Sequence, residues 1–153
     1  MRKIANLLLF LILAFNFCTA QESRNFFYVE LGGAGPIGSV NYERQLTKDV
    51  PILARAGLGY VTTWGYSDFT IPLGLYHLSN LKNGNHLELG VTYTYAFNIK
   101  DRNGGGFFLP ALGYRKFFER NKGFLKITFS PVIFNNDPVE ILPWGGISFG
   151  TRF

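Results

Sequence analysis

The chain has 153 residues, enough for one domain of ordinary size and too few for a tandem arrangement. Aromatics reach 17% and glycines number 18 while charged residues stay at 16%, a balance that excludes disorder and does not suit a helical bundle. The formal net charge of +5 is scattered without any Lys/Arg run, so no nucleic-acid partner is expected.

Residues 1–20 read as a cleavable signal peptide. Arg2 and Lys3 form a basic start, 4–17 is almost wholly apolar, and Cys18-Thr19-Ala20 supplies small residues before Gln21. The stretch is too short for a membrane-spanning helix, which needs roughly 20 apolar residues. A lipid-anchored reading of Cys18 is the weaker one, because Phe17 is bulky where lipoprotein signals carry a small residue. Cleavage would remove the only cysteine, so no disulfide is expected in the mature domain, residues 21–153.

Eight face-alternating segments follow, at 26–34, 39–46, 53–62, 69–78, 86–97, 107–117, 124–134 and 144–153. The clearest is Leu87-Glu88-Leu89-Gly90-Val91-Thr92-Tyr93-Thr94-Tyr95-Ala96-Phe97, apolar at odd positions and polar or small at even ones. Turn signals separate the segments, such as Gly35-Pro36-Ile37-Gly38, Asn83-Gly84-Asn85 and Arg120-Asn121-Lys122-Gly123. Strands of about 9–11 residues at this even spacing predict an all-β, eight-stranded antiparallel up-and-down barrel.

Alternation alone does not say which face is outside, but volume does. One face carries Phe27, Val29, Leu31, Leu58, Leu73, Leu89, Leu112, Ile127, Phe149 and many equally bulky side chains. An eight-stranded barrel has an interior just wide enough for its own side chains, so this set does not fit inside. The opposite face offers Gly57, Gly59, Gly74, Gly90, Gly113, Gly146, Thr92, Thr94 and Ser148, which suit a lumen. The bulky face therefore meets lipid, and the barrel is predicted to be transmembrane. Phe26, Trp64, Phe97, Phe107, Phe117, Phe124, Phe134 and Trp144, near the segment ends, are expected to form interfacial girdles.

With its leader, eight strands and final Phe153, the chain resembles the small outer-membrane β-barrels of Gram-negative bacteria, in the OmpA-transmembrane and OmpX style. It is most similar to a family of small outer-membrane proteins in Bacteroidetes. The resemblance lies in Val40-Asn41-Tyr42-Glu43-Arg44, in Leu87-Glu88-Leu89-Gly90 and in the ending Pro143-Trp144-Gly145-Gly146-Ile147-Ser148-Phe149-Gly150-Thr151-Arg152-Phe153. It implies an integral outer-membrane location with both termini periplasmic, contact with membrane lipid and lipopolysaccharide, and insertion by the barrel-assembly machinery. That machinery would read Phe149 and Phe153, with Thr151 a mild departure. The family has no agreed activity, so the resemblance brings none.

Three motifs bear on chemistry. Gly33-Ala34-Gly35-Pro36-Ile37-Gly38 matches G-x-G-x-x-G, but an alternating strand follows where a dinucleotide site needs a helix, so a tight hairpin is the better account. His77 and Ser79 with Glu88 evoke a lipid A-modifying hydrolase, yet parity sends Glu88 into the lumen and His77 outward. Two histidines without a Cys or carboxylate cluster make no metal site. The third constellation is lumenal: parity turns Glu30, Glu43, Arg55, Glu88, Arg115, Lys126 and Arg152 inward. Buried charges must be paired, so these residues are expected to interlock as a plug beneath a shallower Gly/Thr/Ser vestibule. The long connections 98–106 and 135–143 are expected on the outside, where loops on a rigid scaffold carry binding.

The reading reached is a monomeric, non-enzymatic barrel without cofactor, structural or surface-interacting in role. The alternatives are a minor porin-like channel for ions or small solutes and, third, the hydrolase.

Overall fold

The computed structural model of the chain describes residues 24–63, 66–98, 104–118, 122–134 and 140–153. The expected leader with Cys18, Trp64, and the connection centres 99–103 and 135–139 lie outside those residues.

Eight strands close into an antiparallel barrel, and no helix occurs among the described residues. The wall is built from β1 (Asn25–Gly32), β2 (Gly38–Gln45), β3 (Ile52–Thr63), β4 (Tyr66–Lys82), β5 (Asn85–Phe97), β6 (Gly104–Phe117), β7 (Gly123–Phe129) and β10 (Gly145–Arg152). Two short strands, β8 (Val132–Phe134) and β9 (Glu140–Leu142), form a separate hairpin between β7 and β10. Each wall strand pairs with its neighbours in the chain, and β10 returns to β1. Reciprocal backbone bonds complete the closure, Asn25 N to Phe153 O at 3.2 Å and Phe153 N to Asn25 O at 2.9 Å. The mouth where β1 begins and β10 ends is the terminal end, and the opposite mouth the far end.

The eight-stranded architecture agrees with the alternation, but some boundaries do not. The seventh strand stops at Phe129 rather than 134. Ser130 still donates to Trp144 O at 2.8 Å, and Pro131, with no N–H to give, ends the ladder there. Gly104–Gly106 belong to β6 rather than to a loop tip, opposite Phe97, Ala96 and Tyr95. The Tyr95 and Tyr93 hydroxyls occupy the space that side chains at Gly104 and Gly106 would need, a diagonal aromatic cover for bare strand positions. The first strand ends at Gly32, because Gly32 and Gly33 turn the chain through positive φ angles of 72° and 65°.

Side chains divide by parity. On β1, Phe26, Tyr28 and Glu30 are buried while Phe27, Val29 and Leu31 are exposed. The outer face continues through Val40, Leu58, Leu73, Leu89, Leu112, Ile127 and Phe149, all exposed. Large inward side chains lie over glycines: Tyr28 over Gly150, Asn41 over Gly57 and Tyr76 over Gly90 of the neighbouring strands, with Tyr76 also covering Gly74 of its own strand. The small residues are thus the complement of the few large ones, and together they fill the lumen.

The aromatic girdle needs correction. Phe26 and Phe124 point inward and are buried, and with half-buried Phe117 they pack as a plug at the terminal end, ring centroids 5.5–6.0 Å apart. Trp144 donates Nε1 to Gly33 O at 2.9 Å and so fastens a turn. Of the expected set Phe97 does share the outward parity, its ring against Phe69 and Tyr95. The other outward aromatics near the ends are Tyr42, Tyr114 and Phe118 on one side and Tyr60, Phe69, Tyr95 and Phe108 on the other. Nearness to a strand end was the wrong criterion; parity decides which ring faces out.

Candidate functional site

Register explains how charges distant in sequence meet. One row of paired positions runs Arg115 (β6), Lys126 (β7), Ser148 (β10), Glu30 (β1) and Ser39 (β2). Another runs Glu43 (β2), Arg55 (β3), Gly74 (β4) and Thr92 (β5). All of these positions share the inward parity, so the closed wall aims them at one axis.

Six of the seven charged residues expected in the lumen come together there: Glu30, Glu43, Arg55, Glu88, Arg115 and Lys126, all buried. They form two groups. In the first, each cation touches both carboxylates. Arg115 Nη2 reaches Glu43 Oε2 at 2.6 Å and Glu88 Oε2 at 2.5 Å, while Lys126 Nζ reaches Glu88 Oε1 at 3.0 Å and Glu43 Oε1 at 3.6 Å. Because β2 and β6 stand on opposite walls, the Arg115–Glu43 pair is a strut across the lumen.

The second group is Glu30 with Arg55, whose Nη2 lies 2.5 Å from Glu30 Oε2. Here neutral groups complete the coordination. Arg55 donates to Asn41 Oδ1 from Nε (3.0 Å) and Nη2 (2.7 Å), and to the Tyr76 hydroxyl at 3.2 Å. Glu30 accepts from Ser39 Oγ at 3.4 Å and Ser148 Oγ at 3.3 Å. Tyr28 joins the two groups. Its hydroxyl donates to Glu43 Oε1 at 3.0 Å and accepts from Lys126 Nζ at 3.3 Å, and its ring lies beneath both Lys126 and Arg55.

Three buried carboxylates against three buried cations leave no net charge in the two groups. That balance matters, since an unpaired buried charge costs several kcal/mol. Within the two groups, the guanidinium of Arg115 is incompletely satisfied. Arg115 Nε and Nη1 have no hydrogen-bond acceptor; the guanidinium instead lies against the rings of Phe124 (4.7 Å) and Phe26 (5.2 Å). Cation–π attraction offsets part of that loss.

Arg152 does not join the cluster. Its parity is inward, as expected, but it lies opposite Phe26 at the terminal mouth and is exposed over the Phe117 ring, 5.4 Å from its centroid. The Phe26–Phe117–Phe124 plug occupies the space between it and the carboxylates. Phe149 and Phe153 are both exposed, Phe149 on the outer face of β10 and Phe153 just beyond its end.

The expected vestibule is also filled. The β1–β2 turn folds into the far end, burying Gly33, Ala34 and Gly35. Thr94 Oγ1 on β5, the wall opposite β1, donates to Ala34 O at 2.9 Å, and Gly33 N donates to Gly145 O at 3.0 Å. A side chain at Gly33 would collide with the Glu30 carboxyl group, so the turn rests directly on the second ionic group. From one mouth to the other, the lumen holds an aromatic plug, two ionic groups and an inward turn.

The remaining motifs separate in space. His77 is exposed on the outer face with Ser79 Oγ 3.3 Å from its Nδ1, whereas Glu88 is buried in the lumen on the other side of the wall. The G-x-G-x-x-G segment leads into β2, a strand. No group of His, Cys, Asp and Glu among the described residues could hold a metal ion. Sequence reasoning missed Tyr28, Asn41, Tyr76 and the inward turn, and placed Thr94 in the lumen without its bond to that turn; the three missed side chains share the inward parity that selected the charges, and counting every polar atom there would have found them. No protein-family model, curated protein or solved structure matches this chain.

Proposed function

We propose that this chain is an integral outer-membrane β-barrel with a sealed lumen and a structural or surface-interacting role. The observation that carries the reading is an inversion. Large apolar side chains such as Leu31 (65% exposed), Leu58 (63%) and Leu89 (62%) cover the outside, while Glu30, Glu43, Glu88, Arg115 and Lys126 are buried at 1% or less. In water this arrangement would forfeit the burial that stabilises a fold. In a bilayer it is favourable, and closure pairs the wall backbone without exposing it to hydrocarbon.

The resemblance to small Bacteroidetes barrels supports the outer membrane as the location, with the termini periplasmic and the far end outside. It also supports contact with membrane lipid and lipopolysaccharide, and the protein is read as monomeric and non-enzymatic. The barrel-assembly machinery would insert it, reading Phe149 and Phe153. Surface interaction would fall to the far-end connections.

Planar-bilayer recording tests the sealed lumen. Wild-type protein and Arg115→Ala are both expected to give no stepwise current, since the aromatic plug and the β1–β2 turn remain in each. Discrete steps whose size changes with Arg115→Ala would favour the porin-like channel instead.

A further inference from the structure

The terminal rim carries charges that the lumen plug does not use. Exposed Arg44, Lys48, Lys82, Lys116, Lys122 and Arg152 lie at this end, against Asp49 among the described residues. Two of them, Lys116 and Lys122, lie within two residues of side chains or backbone that line an apolar groove in the outer wall. The groove has a volume of about 400 Å³ and is lined chiefly by Phe27, Val29, Phe118, Phe149, Gly123 and Thr151.

Lys122 immediately precedes Gly123, and its carbonyl accepts from Arg152 N at 2.9 Å, which fixes that backbone at the groove's rim. Lys116 occupies an outward position of β6, two residues before Phe118 and opposite Leu125 of β7. Neither ammonium is ion-paired with a carboxylate among the described residues. Beside Lys116, the Tyr114 hydroxyl donates to Asn85 Oδ1 at 2.7 Å, and Asn85 is the residue opposite Lys116 in the ladder. The carboxamide is thus held by its oxygen, and its N–H groups are the end left to donate. The same arrangement recurs on the opposite wall, where Tyr42 donates to Asn25 Oδ1 at 2.8 Å and Asn25 faces Arg44.

We infer that this rim seats an anionic glycerophospholipid, with an acyl chain in the Phe27/Val29/Phe118/Phe149 groove and the headgroup phosphate at Lys116 and Lys122. The inference rests on the membrane reading above and adds a lipid preference to it. A cation at an apolar wall attracts anionic headgroups from the bilayer surface. A free phosphate would satisfy the ammonium groups but make no use of the groove beside them. A zwitterionic headgroup would bring its own cation towards Lys116 and Lys122 and lose most of the attraction.

The test reconstitutes the full barrel in phosphatidylcholine vesicles carrying a trace of spin-labelled lipid, and reads the motionally restricted fraction by electron spin resonance. Labelled phosphatidylglycerol is expected to be restricted about threefold more strongly than labelled phosphatidylcholine. The preference should fall to parity in Lys116→Gln/Lys122→Gln and survive in Lys116→Arg/Lys122→Arg. Replacing chloride with inorganic phosphate at constant ionic strength should leave it unchanged. Equal restriction of the two labels by wild-type protein would overturn the lipid seat while leaving the membrane reading intact. Loss of the preference in phosphate buffer would also overturn it, making the rim a site for the free ion. No restricted component with either label would remove the membrane reading and the seat together.

Discussion

The two ionic groups of the lumen contain the same kinds of residue but are held in different ways. Around Arg115, two carboxylates and two cations satisfy each other almost alone, and the spare guanidinium N–H groups face phenyl rings. Around Arg55, an amide, two serine hydroxyls and a tyrosine hydroxyl share the work. The first group depends on charge parity, so removing one member leaves an uncompensated buried ion. The second can relax, because Glu30 would keep two hydroxyl donors if Arg55 were lost. Burial alone therefore does not set the cost of losing a charge; what else the abandoned partner can bind does.

The largest expected effect breaks the first group. Arg115→Met leaves Glu43 and Glu88 with Lys126 alone and should cost about 3–5 kcal/mol. Arg55→Met should cost less, roughly 1.5–3 kcal/mol, the range for lost hydrogen bonds to a charged group. Urea unfolding in detergent micelles, followed by circular dichroism, compares the two, and equal losses would erase the distinction. Adding Glu43→Gln to Arg115→Met restores charge parity and should recover most of the loss.

A smaller effect lies above the second group. Thr94→Val removes the bond that ties Ala34 O to the opposite wall and should cost about 1 kcal/mol. Amide exchange should quicken in the 33–37 turn and remain unchanged across β6 and β7. Uniform quickening would mean that the turn is part of the barrel's global stability and not a local closure.

Much of this organisation was legible in the sequence because a strand's side chains alternate along its length, here interrupted only locally, as at the register shift between Asn80 and Lys82. Once Leu87–Phe97 set the parity, Glu88 had to face inward and Leu89 outward, and the same count placed Glu30, Glu43, Arg55, Arg115 and Lys126. Parity says which way a side chain points but not how deep it lies. Arg152 has the right parity and still sits at the mouth, because depth depends on register with β1 and on the rings below it. The aromatic plug and the inward turn were hidden for related reasons. Phe26 and Phe124 looked like girdle residues from their nearness to strand ends, and the path of a turn across a lumen leaves no periodic trace. Pro131 was visible as a ladder breaker, yet alternation through Phe134 masked it.

Everything depends on the apolar wall being solvated by hydrocarbon. Sedimentation velocity on the purified protein, with and without detergent, addresses this most directly. The account predicts a monomer carrying bound detergent that aggregates once the detergent is withdrawn. A monodisperse monomer that stays folded in plain buffer would contradict it.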